Sequence, residues 1–192
     1  MNNSSILVIS DSHGNVPALT TALAWVRNTV LSAAIFLGDG ADDLSIASSR
    51  AGFTLPWHKV RGNGDFNFLI PDTLVLEIPF AEDIAPTGKS DSASSRTLFL
   101  AHGNRHGVDG GGHTIAQAAK DAGAEAALFG HLHVPHCSFE NGIFLLNPGS
   151  IGRSRSNAGP TFAVLECPAK GPLSARFFCL VNRDRNVEEF EL

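Results

Sequence analysis

Five short apolar segments along the chain each end in a loop that combines glycine with aspartate, asparagine or histidine. The first segment, residues 6–9, is rich in β-branched side chains, which predicts a buried strand, and it stops at the sequence SDSHG. A stripe of apolar residues at helical spacing follows, formed by Leu19, Ala22, Leu23, Val26 and Val30. The pattern of a strand that ends in such a loop recurs at residues 33–37, 57–60, 96–101 and 126–129.

The remaining segments complete an α/β pattern. Short helices are predicted at residues 42–51 and 113–122, and a further strand at residues 73–78. The later part of the chain changes character, because an Asn141-Gly142 pair between apolar runs is typical of a hairpin. Further strands, at residues 161–166 and 175–181, predict antiparallel pairing there. Residues 81–95 have no apolar periodicity and are predicted to form a surface loop that supplies no site residue.

Composition narrows the class of protein. With 192 residues, 43% of them hydrophobic and 17% charged, the chain is long enough for one globular domain, which we expect to span residues 1–192. A net charge of -5 gives no basic surface for nucleic acid or an anionic membrane. Three cysteines without C-x-x-C spacing favour neither a disulfide framework nor a zinc ribbon. The apolar run near the start is too short for a signal segment or a membrane span, so we expect a cytoplasmic protein, and a homo-oligomer is left open.

The polar loops supply a set of metal-ligand side chains. The carboxyl ends of parallel strands meet at one edge of a sheet, where ligands of α/β proteins commonly bind. Two aspartates, one asparagine and four histidines follow the five strands, a set suited to manganese, iron, zinc, cobalt or nickel rather than calcium. Seven ligands exceed the needs of one site and fit two metals that share a carboxylate. The candidate ligands are Asp11, His13, Asp39, Asn63, His102, His131 and His133.

The order and identity of these loops resemble the calcineurin-like metallophosphoesterase superfamily, most closely its small phosphodiesterases of the YfcE type. The matching sequences are DSHGN, GDG, RGNGD, AHGN, GHLHVP and NPGSIG, which lie between about residues 6 and 150. The resemblance implies a four-layer αββα sandwich with two mixed sheets. It also implies hydrolysis of phosphodiesters, with phosphomonoesters as further substrates, by a hydroxide that bridges two divalent metal ions, manganese being favoured.

The same resemblance assigns roles to the candidate ligands. Asp11, His13, Asp39 and His133 would hold one metal, and Asp39, Asn63, His102 and His131 the other, so that Asp39 bridges them. Asp39, Asn63 and His102 are the predicted catalytic residues. An alternative of the same fold is a catalytically weak scaffold or binding module, since the retromer subunit that resembles this fold serves as a scaffold with an impaired site. A mononuclear hydrolase is a second alternative.

Departures from the superfamily pattern bear on the reaction. Where the protein phosphatase branch reads GNHE or GNHD, Gly64 occupies the place of the histidine that would protonate a leaving group. The sequence DGADD after Gly38 differs from GDxxDRG, which argues against a Ser/Thr protein phosphatase. We therefore expect esters with good leaving groups to react best. Asn104 stands where the family often has histidine.

Other polar residues are candidates for supporting roles. Asp65 and Asn15 are interpreted either as partners that orient ligands or as turn residues, and Asp42 and Asp43 as the start of a helix. His58, His113 and His136 are assigned no chemistry, and Arg155 is considered with Arg153 as a phosphate contact. The predicted contacts to substrate are Arg105, His106 and Arg153.

Overall fold

The computed structural model describes residues 3–79, 95–182 and 186–192. Over these residues the chain forms eleven β-strands and three α-helices. The helices are α1 (Val16–Val26), α2 (Asp43–Ala51) and α3 (His113–Asp121). The strands are β1 (Asn3–Ile9), β2 (Ala33–Phe36), β3 (Trp57–Lys59), β4 (Thr73–Pro79), β5 (Ser95–Ala101), β6 (Ala126–Phe129), β7 (Pro135–Glu140), β8 (Ile143–Pro148), β9 (Thr161–Pro168), β10 (Ser174–Val181) and β11 (Asn186–Phe190).

The strands form two mixed sheets. Sheet A has the order β11-β10-β9-β1-β2-β3, and sheet B has the order β4-β5-β6-β8-β7. In sheet A, β1, β2 and β3 are parallel, whereas β9, β10 and β11 pair antiparallel. In sheet B, β5, β6 and β8 are parallel, with antiparallel β4 and β7 at the edges. These arrangements confirm the α/β class and the mixed sheets.

Three hydrophobic clusters define four layers. Helices α1 and α2 pack on one face of sheet A, with Leu19, Leu23 and Phe36 buried between them. A second cluster, which includes Val8 and Leu100, lies between the inner faces of the two sheets. The third lies between α3 and the outer face of sheet B. Because residues on both faces of β1 and β6 are buried, these strands are continuous apolar runs, as the sequence pattern indicates. The αββα sandwich implied by the family resemblance is confirmed.

Two details of the secondary structure differ from the sequence prediction. Helix α1 ends at Val26, with Arg27 as its C-cap, so Val30 lies beyond the helix and is 90% exposed. Strand β11 was not predicted, because its NVEEF sequence offers an edge strand only a few apolar side chains. The hairpin is confirmed: Asn141 and Gly142 both have positive φ between β7 and β8, as a type I′ turn requires.

Two sequence expectations concern other parts of the structure. The predicted surface loop at residues 81–95 lies outside the described residues except for Ser95, the first residue of β5. Among the described residues, no helix is long and apolar enough to span a membrane.

Candidate metal centre

The predicted ligands lie on loops that leave both sheets. Asp11 and His13 follow β1, Asp39 follows β2 and Asn63 follows β3, all in sheet A. His102 follows β5, and His131 and His133 follow β6, all in sheet B. The expectation that the loops meet at the edge of one sheet was therefore too simple, because the site lies where the carboxyl ends of parallel strands from two facing sheets meet.

Backbone hydrogen bonds join these loops to one another. The N–H of Asp11 donates to Gly38 O at 2.9 Å, and the N–H of His13 donates to Asp39 O at 3.1 Å. In sheet B, the N–H of Gly130 donates to His102 O at 2.9 Å. The loops also approach too closely for larger residues, since a Cβ on Gly62 would lie 2.1 Å from Asp39 Oδ1. Glycine is therefore required at position 62, because the loop that follows β3 contacts the loop that follows β2 there.

Five of the seven candidate ligands have a backbone in the left-handed region, with φ between +45° and +68°. Such values are uncommon for residues other than glycine and recur at functional sites. Among the described residues, only two other non-glycine residues have a positive φ, Asn141 and Asn182. The five ligands are Asp11, His13, Asp39, His131 and His133.

Two groups of side chains bring their ligand atoms within 4.8 Å of one another: Asp11 with His13 and His133, and Asp11 with Asp39 and His102. Asp39 Oδ2 lies 3.7 Å from His13 Nε2 and 3.6 Å from His102 Nε2, between the two groups. His13 Nε2 and His133 Nε2 are 3.1 Å apart. These nitrogen and oxygen atoms converge as the ligands of a cation do.

Partners fix the ring orientation of two histidines. His102 Nδ1 lies 2.7 Å from Leu37 O, and His133 Nδ1 lies 2.7 Å from Arg153 O. Since a carbonyl oxygen can only accept, each Nδ1 carries the proton and each Nε2 presents a lone pair to the site. His102 Nε2 is buried and has no hydrogen-bond partner among the described residues. This pattern is typical of histidines that bind metals.

The two aspartates each keep one oxygen for the site. Asp11 Oδ2 accepts from Ser10 Oγ at 2.5 Å and from the N–H of His131 at 3.1 Å, whereas its buried Oδ1 has no hydrogen-bond donor among the described residues. Asp39 Oδ1 accepts from the N–H of Gly64 at 2.5 Å, which leaves Oδ2 between the histidines. Buried acceptors without donors are costly unless a cation satisfies them.

Charge interactions within the cluster shift two pKa values. Burial opposes ionisation of Asp11, but the neighbouring imidazoles of His13 and His133 outweigh it and hold the pKa of this carboxyl below its ordinary 3.8. Asp11 in turn raises the pKa of His133 above 6.5, against the effects of burial and of the Arg155 charge. The site therefore carries negative charge that favours a cation, and binding must release any proton held by His133.

Asn63 and His131 lie at the edge of this cluster. Asn63 is exposed and sits between Gly62 and Gly64, whose N–H holds the Asp39 carboxylate. The His131 ring meets the His102 ring edge-on, with centroids 5.2 Å apart. Both residues are thus beside the group formed by Asp11, Asp39 and His102, and their role as ligands stays a prediction.

The predicted substrate contacts are less closely tied to the centre. Arg105 is 64% exposed and faces Asp72, and Arg153 is also exposed. The ring of His106 packs edge-on against Phe99, and burial lowers the pKa of His106. Because Phe99 belongs to the cluster beneath α3, this ring lies on the outer side of sheet B. A role in substrate binding remains a prediction for all three residues.

Several supporting residues hold the loops. Asp65 accepts backbone N–H bonds from both the β2 and β3 loops, whereas the Asn15 side chain caps α1. Asp43 begins α2 as predicted, and its carboxylate also accepts from Ser12 Oγ and from the N–H of Gly14, which ties the first loop to the helix. The sequence analysis did not predict this link between Asp43 and the first loop.

Two further supporting contacts come from residues that were not singled out as partners of ligands. The Ser150 hydroxyl donates to Asp11 O at 2.8 Å, and Asp109 lies beside His131. The NPGSIG sequence was a signal for the first of these contacts, but no sequence pattern marked Asp109.

Comparison with known proteins agrees with this geometry. Residues 5–170 match the calcineurin-like phosphoesterase superfamily domain. A probable metallophosphoesterase of Bacillus subtilis, YsnB, is 29% identical over 161 residues, which is 84% of this chain and 83% of that protein. A crystal structure of a conserved uncharacterized protein from Streptococcus pneumoniae, described as a predicted phosphoesterase, aligns with a TM-score of 0.72 at 25% identity and covers 99% of this chain and 98% of that one.

More distant structures share the fold. The phosphoesterase YfcE from E. coli aligns with a TM-score of 0.59 at 17% identity, covering 97% of this chain and 98% of that one. Wild-type Vps29 of Entamoeba histolytica, complexed with zinc, aligns with a TM-score of 0.69 at 20% identity, covering 97% of both chains. Together with the domain match over most of its length, these findings show that the chain belongs to the calcineurin-like phosphoesterase superfamily.

Proposed function

We propose that this protein is a phosphodiesterase, with phosphomonoesters as further substrates, that works with two divalent metal ions, of which manganese is preferred. The observation that carries the proposal is the pair of ligand groups around Asp11, Asp39 and the histidines. Both groups offer carboxylate oxygen and imidazole nitrogen without thiolate, and these ligands suit manganese, iron, zinc, nickel or cobalt. Membership of the phosphoesterase superfamily supplies the reaction class.

Asp39 is the proposed bridge between the metals. Its Oδ1 is held by Gly64, and its Oδ2 lies between His13 and His102, which belong to different groups. The free oxygen of Asp11, Oδ1, lies beside the histidine of the first group, 3.1 Å from His133 Nε2. The first metal is accordingly assigned to Asp11, His13, Asp39 and His133. The second is assigned to Asp39, Asn63, His102 and His131.

The metals and the protein contribute differently to the reaction. When bound, two cations lower the pKa of the attacking water and neutralise charge on the phosphoryl oxygens. The chain positions the ligands, above all the proposed catalytic residues Asp39, Asn63 and His102. Gly64 offers no group to protonate a leaving alkoxide, so diesters with acidic alcohols, such as phenols, are the preferred substrates.

Arg153, Arg105 and His106 are the proposed contacts to substrate. The backbone carbonyl of Arg153 contacts His133, which fixes the backbone of Arg153 beside the proposed metal site. The guanidinium of Arg153 is exposed. The nearby Arg155 also acts on His133 through its charge. Arg105 and His106, which follow His102 along the chain, are the other proposed contacts. A guanidinium suits the phosphate of a substrate because it can donate two parallel hydrogen bonds.

The experiment joins metal counting to turnover. We expect the parent protein to bind two manganese ions per chain and to hydrolyse an aryl phosphodiester faster than an aryl phosphomonoester. His102→Ala should abolish most turnover and weaken one metal, whereas His136→Ala, at an exposed histidine that contacts Ser138, serves as the matched control. A parent protein that binds two metals but hydrolyses neither ester faster than His102→Ala would contradict the proposal.

One observation favours a second candidate, a catalytically weak binding module of the same fold. Phe66, Phe68 and Leu69, on the loop that follows Asn63, are each more than three-quarters exposed. Exposed apolar patches of this kind commonly mark interaction surfaces. The turnover experiment separates the two candidates, because a binding module would hydrolyse neither ester faster than His102→Ala. Sedimentation of the parent and of Phe66→Ser would show whether this exposed patch joins copies of the chain.

A further inference from the structure

His131 is held differently from the other histidines of the candidate centre. In His102 and His133, Nδ1 faces a backbone carbonyl and Nε2 faces the site. In His131, Nε2 lies 3.1 Å from Asp109 Oδ2. A carboxylate oxygen accepts, so Nε2 of His131 carries the proton and Nδ1 keeps the lone pair. Nδ1 is therefore the ring nitrogen of His131 that is free to bind a cation, whereas in His102 and His133 it is Nε2.

The backbone around Asp109 is anchored although its carboxylate is exposed. Val108, the preceding residue, is buried in the cluster that contains Phe129 and lies against Gly103. Asp109 lies within two overlapping turns, which are closed by hydrogen bonds from the N–H of Gly110 to Gly107 O and from the N–H of Gly111 to Val108 O. The loop that begins with His102 thus places the Asp109 carboxylate beside the His131 ring.

We propose that Asp109 is a positioning residue that fixes the His131 ring and its proton so that Nδ1 binds the metal shared with His102. The inference rests on the proposed function, since it assigns an orientation to one of the proposed ligands. Exposed ion pairs contribute little to folding stability, so the expected effect is on metal binding. Residues that orient histidine ligands typically change metal affinity about 10–100-fold. With Asp109 67% exposed, we expect a value near the lower end, about tenfold.

The first test is calorimetric titration of manganese into metal-depleted full-length protein. Asp109→Ala should weaken one of the two binding steps about tenfold and leave the other unchanged. Asp109→Asn should recover part of the loss, because its amide oxygen still accepts from Nε2. Asp121→Ala is the matched control, since Asp121 is an exposed acid on α3 that contacts Gln117. Equal weakening of both steps in Asp109→Ala, or none, would overturn the proposal.

The second test does not depend on metal. Long-range ¹H–¹⁵N spectra of the histidine rings distinguish the two neutral tautomers, and we expect the His131 proton on Nε2 in the parent and a mixture in Asp109→Ala. A proton on Nδ1 of His131 in the parent would overturn the inference. A parent that binds a single manganese ion would instead contradict the proposed function, and the inference would then be decided by the tautomer alone.

Discussion

Asp65 offers a direct test of how the loops of the candidate centre are held. Its carboxylate accepts four backbone N–H bonds at 2.8–2.9 Å, from Asp39, Gly40, Ala41 and Gly62. Burial alone would raise the pKa of Asp65, but the N–H groups of these residues outweigh it and hold the pKa below 3.8. One side chain thus joins the β2 loop to the β3 loop.

Asp65→Asn should lower the free energy of unfolding by about 2–4 kcal/mol. The amide oxygen can still accept two of the four N–H bonds, whereas the amide NH₂ would face the other two donors. Each lost bond to a charged acceptor contributes about 1.5–3 kcal/mol, and the half-exposed position allows water to replace part of it. For a chain of this size, such a loss corresponds to a fall in Tm of about 5–15 °C.

Urea denaturation of the parent, Asp65→Asn and Asp42→Asn measures this effect. Asp42 is an exposed neighbour whose side chain makes no cap hydrogen bond, so its substitution removes the same charge at little cost. Because the folded pKa of Asp65 is depressed, its contribution is fully present above pH 3.8 and is lost as pH falls through the folded pKa. The gap between parent and Asp65→Asn should therefore narrow in acid. A free energy of unfolding equal to that of Asp42→Asn at neutral pH would refute this account.

Four further predictions concern metal binding, turnover and the loop at residues 81–95. Asp39→Asn should lower metal occupancy at both sites, and two equivalents bound as tightly as in the parent by elemental analysis would exclude Asp39 as the bridge. The parent should hydrolyse aryl diesters with acidic phenols much faster than alkyl esters, and a flat Brønsted plot with chemistry rate-limiting would mean that another residue donates the proton. Gly64→His should not simply supply that acid, because its Cβ would lie 3.1–3.3 Å from the Asp39 carboxylate, so metal titration should show weaker binding. Shortening the loop at residues 81–95 should preserve fold and catalysis; metal binding without turnover in that variant would assign the loop to the active site.

Local patterns predicted most of the secondary structure because burial on both faces leaves a continuous apolar run. Strands β1 and β6 and the turn at Asn141 and Gly142 were therefore recognisable. The pattern misled at Val30, which continues the apolar spacing of α1 although the helix has already ended. Edge strand β11 escaped prediction because it buries too little to leave a clear alternation.

The arrangement of the candidate centre was only partly predictable. Residue types and their places after strands identified the candidate ligands, but local sequence does not reveal that β3 and β5 belong to different sheets. That division was implied by the family resemblance. The contact between Asp109 and His131 was not predictable, because it depends on the path of a loop and leaves no periodic signal.

The backbone conformation of the ligands explains why a sequence can name them without showing their arrangement. A left-handed backbone costs about 1–2 kcal/mol at a typical residue other than glycine, so five such residues in one site require contacts that oppose the strain. Aspartate and histidine tolerate this conformation better than most residues, so the side chains that bind metals are also suited to the turns that present them. Hydrogen bonds between loops, such as those from Asp11 to Gly38 and from His13 to Asp39, oppose the strain. The protein backbone itself therefore holds the ligands in position, and this depends on contacts between loops that no single stretch of sequence contains.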